Sequence, residues 1–223
     1  DAGINAGFKN EQYEKAGAKI IENDEQLFSN ADVVLKVQKP DQSEIVKLKK
    51  GSLLISFVYA LNYPNIEKLC ADNGVDLIAM DMVPRTTLAQ KMDALSSQAN
   101  IAGYKSVILA ANHLGKIFPL MMTAAGTISP AKVVIMGAGV AGLQALGTAK
   151  RLGAVVEVSD IRPSAKEEVQ SLGGKFIEVE TTENMQDERG YAKEASEEFL
   201  RKQKELIFKH VTEADIVITT ALV

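Results

Sequence analysis

The 223 residues are 46% hydrophobic and 24% charged, which excludes an intrinsically disordered chain and leaves apolar material for two domains of ordinary size. A net charge of −4, from 29 acidic and 25 basic residues scattered along the chain, gives no sustained positive field, so no nucleic-acid partner is expected. No apolar run reaches the ~18 residues that a membrane-crossing helix needs, and the single cysteine, Cys70, excludes an intrachain disulfide and reads as a small buried residue.

From the start of the chain, short apolar runs alternate with polar helical stretches. Residues 18–21, 33–37, 53–57 and 75–80 read as strands. Residues 10–16, 25–29, 41–49 and 64–73 read as helices, the last with Ile66, Leu69 and Cys70 recurring at three and four. That order predicts βαβ units and a parallel sheet. After Pro84 a long helical stretch covers residues 88–113, with a bend expected at Ala102-Gly103, and connects two domains. Gly126-Thr127 and Ser129-Pro130 punctuate the chain next.

The second half repeats the alternation, with strands at 133–136, 155–158, 176–179 and 215–219 and helices at 140–152, 163–172 and 192–211. Gly153 and Gly173-Gly174 stop the first two of these helices, because a left-handed C-cap costs glycine nothing. Residues 181–190 are polar and aperiodic, which predicts an exposed mobile loop ending at Gly190-Tyr191. The expected architecture is α/β: two Rossmann-like parallel-sheet domains, 1–125 of flavodoxin type and 126–223, with a cleft between them. The chain opens on Asp1 rather than Met and stops at Val223 just after a strand. A fragment is therefore expected, its first domain incomplete and its second truncated.

Gly137-Ala138-Gly139-Val140-Ala141-Gly142 follows a β-branched strand and opens a helix, the context in which a GxGxxG sequence binds a dinucleotide. The first glycine permits a tight turn, the second lets backbone approach a pyrophosphate, and the third lets helix and strand pack closely. The helix N-terminus offers unpaired N–H groups and the positive end of its dipole. Asp160 ends the next strand, 18 residues beyond Gly142, where a carboxylate accepts hydrogen bonds from the adenosine ribose. This favours NAD(H) over NADP(H), although Arg162 close by leaves NADP(H) open. The bland alternatives are glycines that serve packing alone and an Asp160 that is a solvated strand end.

The segment Met80-Asp81-Met82-Val83-Pro84-Arg85, then Gln90, then residues 93–104, resembles the NAD(H)-binding component of proton-translocating NAD(P) transhydrogenases. Residues 31–37, Thr123-Ala124-Ala125-Gly126, the glycine loop, Gly190-Tyr191-Ala192-Lys193 and Thr219-Thr220-Ala221-Leu222 extend the similarity over essentially the whole chain. Carried over by position, the resemblance implies a nicotinamide-side catalytic group of Arg85, Gln90, Asp93 and Ser96. An arginine pairs with phosphate oxygens in a fork, an amide holds a ribose hydroxyl or reaches a neighbouring nucleotide, and Asp93 with Ser96 would fix the ring and its carboxamide. Without it, Asp93 and Ser96 read as helix-capping or surface groups. It further implies nucleotide contacts at Gly137, Gly139, Val140, Ala141 and Gly142, at Asp160, Ile161 and Arg162, and at Thr219, Thr220 and Ala221. Tyr191 would close over the bound nucleotide, and no metal site is expected.

The same resemblance implies a homodimer, a partner component that binds NADP(H), and a membrane-spanning component that moves protons. The chain would then be cytoplasmic and peripheral on the inner face of the plasma membrane if bacterial, or on the matrix side if mitochondrial. Alanine dehydrogenases are also similar and share the Lys36-Val37 strand end, but they use a histidine where this chain aligns Tyr59. Amino-acid oxidation needs proton transfer near neutral pH, which an imidazole supports and an unperturbed phenol of pKa about 10 does not. His113 and His210 are expected on helix surfaces or near helix ends. Hydride exchange between two nicotinamides needs no general base. A stand-alone amino-acid dehydrogenase and a nucleotide-sensing module remain the alternatives.

Overall fold

The structure, a computed structural model, describes residues 2–178 and 197–221. It divides into two compact units, residues 1–95 and 96–223. The first unit carries a short 3-10 turn at Ile4–Ala6, then α1 (Asn10–Lys15), α2 (Asp24–Asn30), β1 (Val33–Lys36), α3 (Gln42–Ile45), β2 (Leu53–Ser56), α4 (Asn65–Asp72) and β3 (Asp76–Ala79). Two 3-10 turns, Met80–Met82 and Thr87–Met92, follow.

The three strands of this unit are parallel and ordered β1-β2-β3, in a register that aligns Leu35, Ile55 and Ile78. Strand side chains alternate between faces. Val34 and Leu54 therefore point one way, into a core with Phe28, Ile45, Ile66 and Cys70. On the opposite face Val33, Leu35 and Ile78 are exposed, where a parallel sheet is ordinarily covered.

In the second unit the long helix α5 (Ala94–His113) is followed by a hairpin of β4 (Met121–Thr123) and β5 (Gly126–Ile128). Then come β6 (Lys132–Met136), α6 (Val140–Arg151), β7 (Val155–Ser159), α7 (Ala165–Ser171), β8 (Lys175–Phe176), α8 (Glu197–Thr212) and β9 (Ile216–Thr219). The parallel sheet is ordered β8-β7-β6-β9. The strand direction of travel therefore reverses between β6 and β9, and ligands of open α/β sheets bind at such a switch point, beyond the strands' carboxyl ends. Val133, Val134 and Ile135 of the central β6 are all buried, as befits a strand covered on both faces. On β7, Glu157 accepts from Lys175 at 3.0 Å and sits 2.6 Å from Nδ1 of His210, which fastens the last turn of α8 to the sheet.

The α/β class and the parallel sheets are those that the alternation of periods predicts. Several elements differ from expectation. Residues 18–21 form no strand, because no neighbouring strand among the described residues offers them a ladder. The expected helix at 41–49 shrinks to α3 and then turns toward Gly51, whose φ is +81°. The stretch 88–113 is broken at Asp93, where ψ of 80° leaves the helical region, but α5 runs unbroken through Gly103. The β4-β5 hairpin stands where the sequence shows only turn punctuation.

Candidate functional site

The glycine loop joins β6 to α6, and its three glycines are required for three different reasons. Gly137 has φ of +101°, and a Cβ there would lie 2.8 Å from Oγ1 of Thr220. At Gly142 a Cβ would stand 1.8 Å from the Gly137 carbonyl oxygen, so helix and turn touch through bare backbone. Gly139 is the opposite case: it is exposed, and a Cβ there would meet no atom of the described residues within 4 Å. That open space lies at the N-terminus of α6, where Gly139 stands as N-cap without a capping side-chain hydrogen bond. The first-turn N–H groups of α6 therefore face outward with the positive end of the helix dipole.

Neighbouring strand ends hold the turn. The Gly137 N–H donates to the Ser159 carbonyl at 2.7 Å, extending the β6-β7 ladder. The Thr220 N–H donates to the Met136 carbonyl at 2.8 Å. The Thr220 hydroxyl lies 3.1 Å from that oxygen and 3.0 Å from the Gly137 carbonyl. Thr220, expected as a nucleotide contact, thus serves as a clamp on the turn. The flanking Thr219 and Ala221 are exposed.

Asp160, one residue past β7, lies with its side chain only 8% exposed. Its Oδ2 accepts from the Ala138 N–H at 2.7 Å, a bond from inside the glycine loop that the sequence does not disclose. Its Oδ1 accepts from the Arg162 N–H at 2.8 Å, and the Arg162 guanidinium adds Nε to Oδ1 at 3.0 Å and Nη2 to Oδ2 at 3.1 Å. Burial pushes the carboxyl pKa up, but the hydrogen bonds from Arg162 and Ala138 outweigh it and hold Asp160 below its ordinary value. Of the other expected contacts beside these groups, Ile161 and Val140 are exposed and Ala141 is half-buried.

Helix α5 packs against the start of α6. A Cβ on the buried Gly103 would lie 2.1 Å from the Ala141 carbonyl oxygen, so glycine is demanded by helix-to-helix contact and not by a bend. Val107, one turn on, enters the same core. Ser96 and Asp93 stand at the start of this helix, half-buried, while Arg85 and Gln90 are exposed in the 3-10 region before it. Arg85, Gln90 and Asp93 lie in the first unit and Ser96 opens the second. Tyr191 lies outside the described residues.

At the carboxyl ends of the first unit's strands, Lys36 is ion-paired with Glu44, and Asp81 accepts from the Val58 N–H at 2.8 Å. Tyr59 has φ of 51°, a left-handed conformation that is uncommon outside glycine, and its ring stacks on Phe57 with centroids 6.2 Å apart. His113 ends α5 at an exposed position. Among the described residues no group of three or more His, Cys, Asp or Glu converges to hold a metal ion.

The chain matches the alanine dehydrogenase/PNT N-terminal domain over residues 1–102 and the corresponding C-terminal domain over residues 106–223. It is 46% identical over 224 residues to the NAD(P) transhydrogenase subunit alpha of Cereibacter sphaeroides, covering 100% of this chain and 43% of that protein. It is 45% identical over 223 residues to the NAD(P) transhydrogenase subunit alpha of Haemophilus influenzae, again covering 100% of this chain and 43% of that protein. The crystal structure of transhydrogenase from Sinorhizobium meliloti superposes with a TM-score of 0.85 at 44% identity, over 100% of this chain and 59% of that one. The alanine dehydrogenase of Bacillus subtilis is more distant, 30% identical over 181 residues, 80% of this chain and 47% of that protein. The chain thus spans less than half the length of these curated relatives. Both domain matches follow the chain in order, and the loop, its clamp and its acidic partner sit where a nucleotide-binding fold needs them: the chain belongs to the alanine dehydrogenase/PNT family.

Proposed function

We propose that this chain is the NAD(H)-binding component of a proton-translocating transhydrogenase, passing hydride between NADH and NADP⁺ held on a partner component. The observation that carries the reading is the loop itself, with Gly139 open at the uncapped start of α6 and Asp160 beside it. The open space and outward N–H groups suit a pyrophosphate, and the buried carboxylate suits a ribose. Gly137, Gly139, Val140, Ala141 and Gly142 would hold the phosphates, Asp160 and Ile161 the adenosine side with Arg162 beside them, and Arg85, Gln90, Asp93 and Ser96 the nicotinamide side. NAD(H) would supply the hydride. The chain's own work is to position and to exclude water, since hydride exchange between two nicotinamides leaves no proton for an acid or base to move.

The level of identity favours this over an amino-acid dehydrogenase, with 45–46% to the transhydrogenase subunits against 30% to alanine dehydrogenase. The resemblance agrees, since it aligns Tyr59 where alanine dehydrogenases use a histidine.

A homodimer is supported by the β4-β5 hairpin. Met121, Met122 and Ile128 are exposed on it and Leu120 just before it, and a lone two-stranded hairpin is marginal in water. The open face of the first sheet supports a first domain completed by further chain. We assign the protein to the membrane surface through a proton-moving component that is not this chain.

The test mixes the intact protein with its NADP(H)-binding component, NADPH and a spectrally distinct NAD⁺ analogue. Reduction of the analogue only when both components are present is expected. Turnover of alanine or pyruvate with ammonium, without any partner, would replace the proposal by the dehydrogenase alternative.

A further inference from the structure

The four acceptor positions of the Asp160 carboxylate are filled, and they are filled in a pattern. Each oxygen takes one backbone N–H, from Ala138 on Oδ2 and from Arg162 on Oδ1, and one guanidinium nitrogen, Nη2 on Oδ2 and Nε on Oδ1. The two backbone donors fix the orientation of the carboxylate. The guanidinium then occupies the two remaining lone pairs with a planar fork. A vicinal diol presents the same thing, two adjacent donors, one for each oxygen. It cannot be received while the fork stays in place.

Burial decides which partner moves. The Asp160 side chain is 8% exposed and tied to two backbone groups, whereas the Arg162 side chain is 36% exposed and can pass its charge to water. An arginine is comfortable there, while a buried carboxylate stripped of partners is not.

We propose that Arg162 is a specificity-determining residue that stands in for the ribose diol at Asp160 and withdraws when the diol of NAD(H) enters. This rests on the nucleotide reading above and goes beyond it. Until the nucleotide arrives, the fork keeps a buried charge satisfied. On binding, two neutral hydroxyls replace it, so the affinity for NADH is set below what the carboxylate alone would give. A 2′-phosphate has no proton to donate at neutral pH and would need the fork kept close as a counter-charge. Arg162 therefore works against NADH and for NADPH, and the selectivity of the site is a balance between the two residues.

The experiment is calorimetric titration of the intact protein with NADH and with NADPH, for wild type, Arg162→Ala and Asp160→Ala. Removing the fork is expected to tighten NADH about three- to tenfold, the size of a partly exposed charge-assisted pair, and to weaken NADPH. Arg162→Gln keeps one amide and loses the charge and the fork. It should move both affinities in the same directions by less, and it serves if Arg162→Ala lowers the melting temperature. NADH binding by wild type that neither Arg162 variant tightens overturns this proposal alone. No NADH binding by wild type overturns the nucleotide reading and this inference together.

Discussion

Gly103→Ala and Gly147→Ala are the same change in the interior of two helices, and the structure predicts opposite outcomes. Helix propensity alone says that both should stabilise, because alanine is favoured over glycine by about 1 kcal/mol per interior site. At Gly147 of α6 the nearest atom to a new Cβ is a guanidinium nitrogen of Arg151 at 3.9 Å, an ordinary contact with a flexible side chain. The propensity gain survives there, and Gly147→Ala should stabilise by about 0.5–1 kcal/mol. At Gly103 of α5 the new Cβ would meet the Ala141 carbonyl oxygen at 2.1 Å, its carbon at 2.9 Å and its Cα at 3.0 Å. Ordinary contact begins at 3.4 Å, so α5 must retreat from α6 by about 1.3 Å. The obstacle is backbone in the first turn of a helix, which no rotamer change can clear. Overpacking of this kind costs about 1–3 kcal/mol, and the upper end applies where nothing can yield. Net of propensity, Gly103→Ala should destabilise by about 2 kcal/mol. Urea unfolding followed by far-ultraviolet circular dichroism reads both midpoints. A Gly103→Ala midpoint at or above wild type would refute the packing argument.

Three further outcomes follow from the same atoms. Asp160 and Glu157 are both held below their ordinary pKa: burial raises each, but hydrogen bonds from Arg162 and Ala138 in one case, and from His210 and Lys175 in the other, prevail. A folded pKa below the unfolded value means that the unfolded chain takes up protons first, so this stabilisation is complete above about pH 5 and is lost as pH falls through the folded values. Asp160→Asn should therefore be less stable than wild type at pH 7, with the gap narrowing as pH falls below about 5, and a gap that stays constant into the acid range would contradict the account. The proposed homodimer predicts that Met122→Glu, on the exposed β4-β5 hairpin, shifts a wild-type dimer to monomer in light scattering without changing the melting temperature by more than a few degrees; a monomeric wild type or an unchanged mass removes the hairpin from the interface. Gly139→Ala should weaken NADH at least about tenfold while leaving the melting temperature near wild type, since nothing among the described residues lies within 4 Å of the added carbon. Tight NADH binding by that variant would mean that phosphates do not approach the loop there.

The sequence makes legible whatever a local period or a local breaker encodes. The unbroken apolar run Val133-Val134-Ile135-Met136 announces a central strand of a parallel sheet, and the glycines directly after it announce the turn. The hairpin residues, with Met121, Met122 and Thr123 facing Gly126, Thr127 and Ile128, lie exposed on both strands, so no alternation of burial marks them. Residues 18–21 have strand composition but no pairing partner among the described residues, which only the assembled sheet decides. Gly103 suggests a bend when its own helix is considered alone, because its reason lies on another helix, at Ala141. Asp160 and Arg162 are visible as neighbours in the sequence, but the fork between them and the bond from Ala138 depend on the loop closing over β7. The roles of Arg85, Gln90, Asp93 and Ser96 rest on resemblance, since their local pattern is that of any 3-10 turn leading into a helix.

The arrangement at the end of β6 separates groups that build the site from groups left for a ligand. The Gly137 N–H is bonded to β7 through Ser159, its carbonyl is gripped by Thr220 beyond β9, and the Ala138 N–H is bonded to Asp160. Thr220 has one hydroxyl proton to share between two carbonyls, so it also packs the turn by contact, against the bare Cα positions of Gly137 and Gly142. Ordering a loop is a substantial cost of association, and a turn already tied to both neighbouring strands has little freedom left to lose. Among the described residues no side chain caps Gly139 at the start of α6, and a Cβ there would meet nothing within 4 Å. Binding energy in such a site comes from fixed dipoles, which do not depend on titration near neutral pH. Only Arg162 must move, and because it is the partly exposed member of its pair, its movement leaves the turn, the carboxylate and the helix where they were.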